Sequence, residues 1–121
     1  MTPDLLWQRY SRIWSADPAT RATELEVCLA DGCTYCDANV SIEGREALSN
    51  YMAGFQQNVK GGNFQIQSVI NHHNRMLAEW KLLGTNDVVL QTGRSFATVA
   101  DDGRLQNITG FFDTGDKTRS A

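Results

Sequence analysis

FQIQSVINHHNRMLAEWKLL, residues 64–83, holds two runs of strand-forming residues joined by four polar ones. The first run alternates apolar and polar side chains, and both are rich in β-branched, aromatic or other apolar residues, which is how a half-buried strand reads. The joining NHHN has the polar, turn-favouring chemistry of a hairpin connection. The same texture continues in VVLQTGRSFATVA (88–100) and RLQNITGFF (104–112), with GTND and ADDG as further turns. The second half of the chain therefore predicts a meander of four strands.

Upstream of Gly62 the apolar period is helical. Thr2 and Pro3 read as an N-cap and first helical position, with Asp4 well placed in the first turn. Leu6, Tyr10, Ile13 and Trp14 then recur as one stripe. Asp17-Pro18 starts a second helix carrying Ala22, Leu25, Cys28 and Leu29 on one side, with Gly32 as its end. TYCDANV (34–40) is a short extended piece with turn residues. A third helix follows Gly44, with Leu48, Tyr51, Met52, Phe55 and Val59 inward and Gly61-Gly62 as its stop. The order predicts an α+β fold, three helices segregated to one face of an antiparallel sheet. Residues 113–121, DTGDKTRSA, read as a loose polar tail.

At 121 residues the chain is expected to form one domain, residues 1–121, around one core. A net charge of −3 and scattered basic residues give no footprint for nucleic acid. The start MTPDLLWQRY lacks the basic-then-apolar pattern of a secretory signal. No stretch reaches the ~18 apolar residues of a membrane span. With three cysteines, an odd count, the expectation is a cytoplasmic protein with reduced thiols.

CTYCD (33–37) invites a redox or zinc reading. On a strand, positions three apart point to opposite faces, so Cys33 and Cys36 cannot share a metal without a bend in the backbone. A redox pair belongs at a helix start, and a zinc site needs a second ligand pair, which the adjacent His72 and His73 do not supply. Packing is the reading of the thiols, and no metal is expected. Asp37 shares a face with Cys33 and Tyr35. It is either the cap of the Asp37-Ala38-Asn39 turn or, beside an apolar wall, a general acid or base.

YCDANVSIEGREALSNYMAGF (35–55), the His72-His73 pair, LAEWKLLG (77–84) and DDGRLQNITGFFD (101–113) together resemble the nuclear transport factor 2-like superfamily, and within it the SnoaL-like and ketosteroid-isomerase-like small proteins. The resemblance spans about residues 4–113. It implies a cone: a strongly bent antiparallel sheet wrapped around three helices, with an apolar cavity between them. It also implies a homodimer formed through the outer sheet face, and no cofactor. Trp7 or Trp14, Tyr51, Phe55, Phe64, Trp80, Phe96 and Phe111 would wall the cavity; each could equally be plain core filling. By the same resemblance Tyr10 falls where a ketosteroid isomerase carries its oxyanion-donating tyrosine, and Asp37 where it carries its base. Ser95 stands near the place of the second acid and is a weaker donor. Polyketide cyclases carry an acid within the last strands, and RLQNITGFF has none.

His72 or His73 could serve as a proton shuttle if one faces the cavity, or both could form a polar turn. Two functions remain open. One is a cofactor-independent isomerase or cyclase acting on a small apolar carbonyl compound, with Asp37, Tyr10 and a histidine as its working groups and Trp14, Tyr51, Phe55, Trp80, Ser95 and Phe111 in the pocket. The other is a non-catalytic ligand-binding or dimerisation module. A nuclear transport adaptor fits the GREAL and paired-histidine features less well.

Overall fold

A computed structural model describes residues 1–112; the stretch expected as a loose tail, 113–121, lies outside the described residues. Helix α1 (Pro3–Ile13) begins where Thr2 accepts a hydrogen bond from the Leu5 N–H, and α2 (Pro18–Cys28) begins where Asp17 accepts one from the Thr20 N–H. Both side chains satisfy helix-end donors that have no partner within the helix. Strands β1 (Leu29–Asp37) and β2 (Val40–Glu43) form a hairpin that leads into α3 (Arg45–Asn58). Three long strands follow, β3 (Asn63–His72), β4 (Arg75–Leu83) and β5 (Val89–Val99), and β6 (Leu105–Phe112) closes the described chain.

The six strands form one sheet in the order β2-β1-β6-β5-β4-β3. Every pairing is antiparallel except β1 with β6, which is parallel. That parallel pair was not expected, because it joins strands more than 70 residues apart, beyond the reach of any local pattern. Register shifts interrupt four of the ladders, near Gly32, Gln67, Leu83 and Val99. Bulges of this kind bend a strand and increase its twist. The result is a curved, unclosed sheet with the helices in its hollow, the α+β class expected.

The end of α2 is corrected. Helix gives way to strand at Leu29, not near Gly32. Leu25, Cys28 and Leu29 suit a helical stripe, but the Leu29 carbonyl accepts two hydrogen bonds from the Arg45 guanidinium and Leu29 pairs with Leu105. Tertiary pairing overrides local period here. Gly32 sits in the left-handed region at φ 72°, which glycine adopts without strain, and it marks the irregular step in β1 rather than a helix cap. DANV splits as well: Asp37 ends β1 and Val40 starts β2.

The core lies between α1, α2, α3 and the inner sheet face, with Trp7, Ile13, Leu25, Leu48, Met52 and Ile108 almost fully buried. No helix among the described residues is long and apolar enough to cross a membrane.

Candidate functional site

All three cysteines are free; Cys28 and Cys33 are buried, and Cys36 lies on the opposite face of β1 from Cys33. Burial pushes the Cys28 thiol up to about 11 and raises that of Cys33, the reverse of what a reactive thiolate requires. Among the described residues no cluster of three or more His, Cys, Asp or Glu could hold a metal.

Asp37 is different. The alternation of β1 puts Tyr35 and Asp37 on one face, and the Tyr35 hydroxyl donates to Asp37 Oδ2 at 2.7 Å. From α3 the Tyr51 hydroxyl donates to both carboxylate oxygens, at 3.2 and 3.0 Å. The Asn39 N–H donates to Oδ1 at 2.8 Å, so the turn-capping role is also realised. Burial, and then the neighbouring carboxylate, push the Tyr51 phenol up to about 12. Burial is also the main cause that raises Tyr35, with Tyr10 and Asp37 adding to it. Both phenols stay protonated, as donors must.

The carboxylate faces a cavity of about 520 Å³ between the helices and the sheet, a size that suits a small organic ligand. Its wall is aromatic. Trp14, the C-cap of α1, is the hub, with ring centroids 5.5 Å from Tyr35, 5.9 Å from Tyr51, 5.4 Å from Phe55 and 5.6 Å from Phe64. Phe64 in turn meets Trp80 edge to face at 5.1 Å. The exposed lining residues Asn39, Asn50 and Asn58 rim the opening with amides. Asp37 is the one formally charged residue among the described lining residues; no Lys, Arg or His faces the space.

Further hydroxyls lie deeper, those of Ser95 and Tyr10 among them. Ser95 is buried and accepts a hydrogen bond from the Trp80 indole N–H at 3.0 Å. The Tyr10 hydroxyl is buried at the cavity wall with no hydrogen-bond partner among the described residues. Burial raises its pKa well above that of a free phenol; the neighbouring Trp14 indole opposes this in part, in a geometry short of a hydrogen bond. An orphaned buried hydroxyl costs free energy, on the order of 1–3 kcal/mol, unless something fills the role of partner.

Tyr10, Trp14, Asp37 and Tyr51 thus line one space, together with Phe55, Trp80 and Ser95. His72 and His73 do not. They sit exposed at the β3–β4 turn, His73 at φ 48°, with their Nδ1 atoms 3.2 Å apart. The polar-turn reading of NHHN holds, and the shuttle role has no geometry. Phe111 is also displaced: it is 64% exposed on the outer face, and Phe112 lines the cavity in its place. The pairing of Gly93 with Phe112 sets that register, which a Phe-Phe sequence leaves ambiguous. Phe96 points outward too, 38% exposed. Arg94 pairs with Glu79, not Asp37, at 3.0 Å on the outer face. Gly110 and Tyr35 were not singled out as site residues. A glycine in mid-strand was the signal for the first, and the hydrogen-bonding reach of a tyrosine two positions before Asp37 for the second.

A curved six-stranded sheet cradling three helices, with one carboxylate on its cavity wall, defines a nuclear transport factor 2-like fold. The chain belongs to the SnoaL-like domain family, which it matches over residues 7–108. No match was found among curated proteins. Among solved structures, a proposed isomerase of the SnoaL-like family from Agrobacterium tumefaciens is 22% identical, with a TM-score of 0.84 over 90% of this chain and 95% of that one. A proposed polyketide cyclase from Sinorhizobium meliloti is 16% identical, with a TM-score of 0.69 over 90% and 94%. A hypothetical protein with a ketosteroid isomerase-like fold from Catenulispora acidiphila, in complex with trimethylamine, is 13% identical, with a TM-score of 0.74 over 94% and 88%. At these identities the likeness is one of fold.

Proposed function

We propose that the cavity receives a small, apolar, carbonyl-bearing compound and that Asp37 moves a proton within it. The carboxylate takes a proton from the carbon α to the carbonyl; the C–H electron pair passes to the carbonyl oxygen, and the Tyr10 hydroxyl donates a hydrogen bond to the oxyanion as it forms. Return of the proton from Asp37 to another carbon of the conjugated system completes an isomerisation, with no net change in oxidation state. The observation that carries this reading is one ionisable carboxylate, with no cationic partner among the described residues, in the same cavity as a buried phenol that has no hydrogen-bond partner among them. Tyr35 and Tyr51 position Asp37. His72 and His73 have no part in it. Turnover of a Δ5-ketosteroid and a panel of small enolisable ketones tests the proposal: activity that survives unchanged in Asp37→Asn removes Asp37 from the mechanism.

A second reading is a non-catalytic binding protein. The Asn39 N–H on Asp37 favours it, because a turn cap accounts for the carboxylate without chemistry. The Catenulispora neighbour is in complex with trimethylamine, and a cavity whose one charged wall residue is an acid suits an amine. Binding of trimethylamine without turnover of any ketone would select this reading. Homodimer formation belongs to both readings: Ile70, Phe96 and Phe111 are exposed on the outer sheet face, and sedimentation of the full chain at micromolar concentration should give twice the monomer mass.

A further inference from the structure

The inner face of the sheet carries a lane of small side chains between two rows of large ones. In one row the cross-strand register aligns Trp80, Gly93 and Phe112. Two residues further along the strands it aligns Ala78, Ser95 and Gly110, and Gly110 adjoins Asp37 on β1. The next row again includes larger groups, Met76 and Ile108, with Tyr35 beside Ile108. With neighbouring strands about 4.8 Å apart, the lane from Asp37 on β1 to Ser95 on β5 crosses two strand spacings, roughly 10 Å.

Two glycines stand in these rows for different reasons. A Cβ at Gly93 would lie 2.4 Å from the Trp80 ring and 2.5 Å from the Phe111 carbonyl oxygen, so packing alone demands glycine there. A Cβ at Gly110 would meet Ser95 Oγ at 3.6 Å, with Asp37 Cβ and the Tyr35 hydroxyl oxygen at 3.7 Å, all ordinary contact distances. Nor does Gly110 have a positive φ. Glycine in a strand interior is unfavourable and gives up a side chain that could pack. Neither backbone nor packing calls for it at position 110. What its absence of a side chain leaves is open floor in the cavity, between the carboxylate and the Ser95 hydroxyl.

We infer that Gly110 is the size-determining residue of the cavity, keeping open the lane along which a ligand lies across the sheet from Asp37 to Ser95. This deepens the proposed function and rests on its assignment of the cavity as the ligand site. A methyl or isopropyl group at position 110 would narrow the lane where the ligand passes the acid, and the penalty grows with ligand width.

The test compares wild type, Gly110→Ala and Gly110→Val against hydrocarbons of graded width: benzene, naphthalene and phenanthrene. Binding is followed by the fluorescence of Trp14 and Trp80, and folding by thermal melting. Gly110→Ala should melt no lower than wild type and lose about tenfold or more in affinity for phenanthrene, with less loss for benzene; Gly110→Val should extend the loss to naphthalene. Equal affinities for phenanthrene in all three proteins, an equal loss for every probe, or a wild type that takes up none of them would overturn the inference. These probes have no acidic α-proton, so ketone turnover is read separately. Width-dependent binding without turnover keeps the role of Gly110 and rejects the proton-transfer reading; turnover that ignores Gly110→Val does the opposite.

Discussion

On the inner face of the sheet the Asp37 carboxylate meets two phenol hydroxyls and one backbone N–H; on the outer face the Glu79 carboxylate meets the Arg94 guanidinium at 3.0 Å. The outer pair is half in water, with side chains 46% and 64% exposed, where ion pairs are screened and weak. Among the described residues the inner acid has only neutral donors, and it faces an aromatic hollow. An acid matched to a cation has its charge cancelled on the spot. Asp37 keeps its charge directed at whatever enters the cavity, and its donors fix its direction without neutralising it.

The contrast can be broken by isosteric amides. Asp37→Asn should lower turnover of an accepted ketone by about 10²–10⁴-fold, the span of a general base, whereas Glu79→Gln should leave turnover where it was. Equal effects at the two positions would dissolve the distinction.

Packing sharpens it next. Gly93→Ala forces a methyl into the Trp80 ring and the Phe111 carbonyl, and should cost about 1–3 kcal/mol or more in chemical denaturation. Unchanged stability there would mean that the inner rows are loosely packed and that Gly93 and Gly110 do not differ in what they hold open.

Alkaline pH probes the donors. Tyr10, Tyr35 and Tyr51 all ionise at higher pH in the folded chain than the ordinary 10.0, chiefly through burial. A group raised in this way lends stability that is whole below its unfolded pKa and is lost as pH rises through its folded one. For Tyr51 that window runs from pH 10 to about 12. Thermal melts should therefore begin to fall above about pH 9, where the raised Cys28 and Cys33 thiols start to ionise, and fall further above pH 10, where Tyr51→Phe should flatten part of the decline. The smallest effect is on the surface: Glu79→Gln should change stability by no more than about 1 kcal/mol, and less at high salt.

Much of the fold was legible because its signals are local. Thr2-Pro3 and Asp17-Pro18 carry their cap chemistry in adjacent residues, and NHHN needs only its own polarity to make a turn. Leu29 was misread because its helical spacing is genuine and the strand that captures it, β6, lies some 75 positions away. At the site, Asp37 could be placed on a face by counting from Tyr35. Phe111 and Phe112 could not be told apart, since one step of register exchanges them and only the pairing with β5 decides. The histidines failed because His72 ends β3 opposite Arg75 and His73 lies in the tight turn that follows, both exposed at the far end of the hairpin and away from the cavity. Tyr51 could be assigned inward from its helical period, but its bond to Asp37 depends on how α3 crosses β1, which no spacing reveals.

The parallel docking of β6 against β1 has a consequence for how the protein is made. Thr34 and Asn107, joined by a 2.7 Å side-chain hydrogen bond, are 73 positions apart, so this seam closes only after β6 has been synthesised. A nascent chain can wind its helices early, yet Asp37 has no Gly110 beside it until β6 leaves the ribosome. Loss of the final dozen described residues would leave the cradle without its floor.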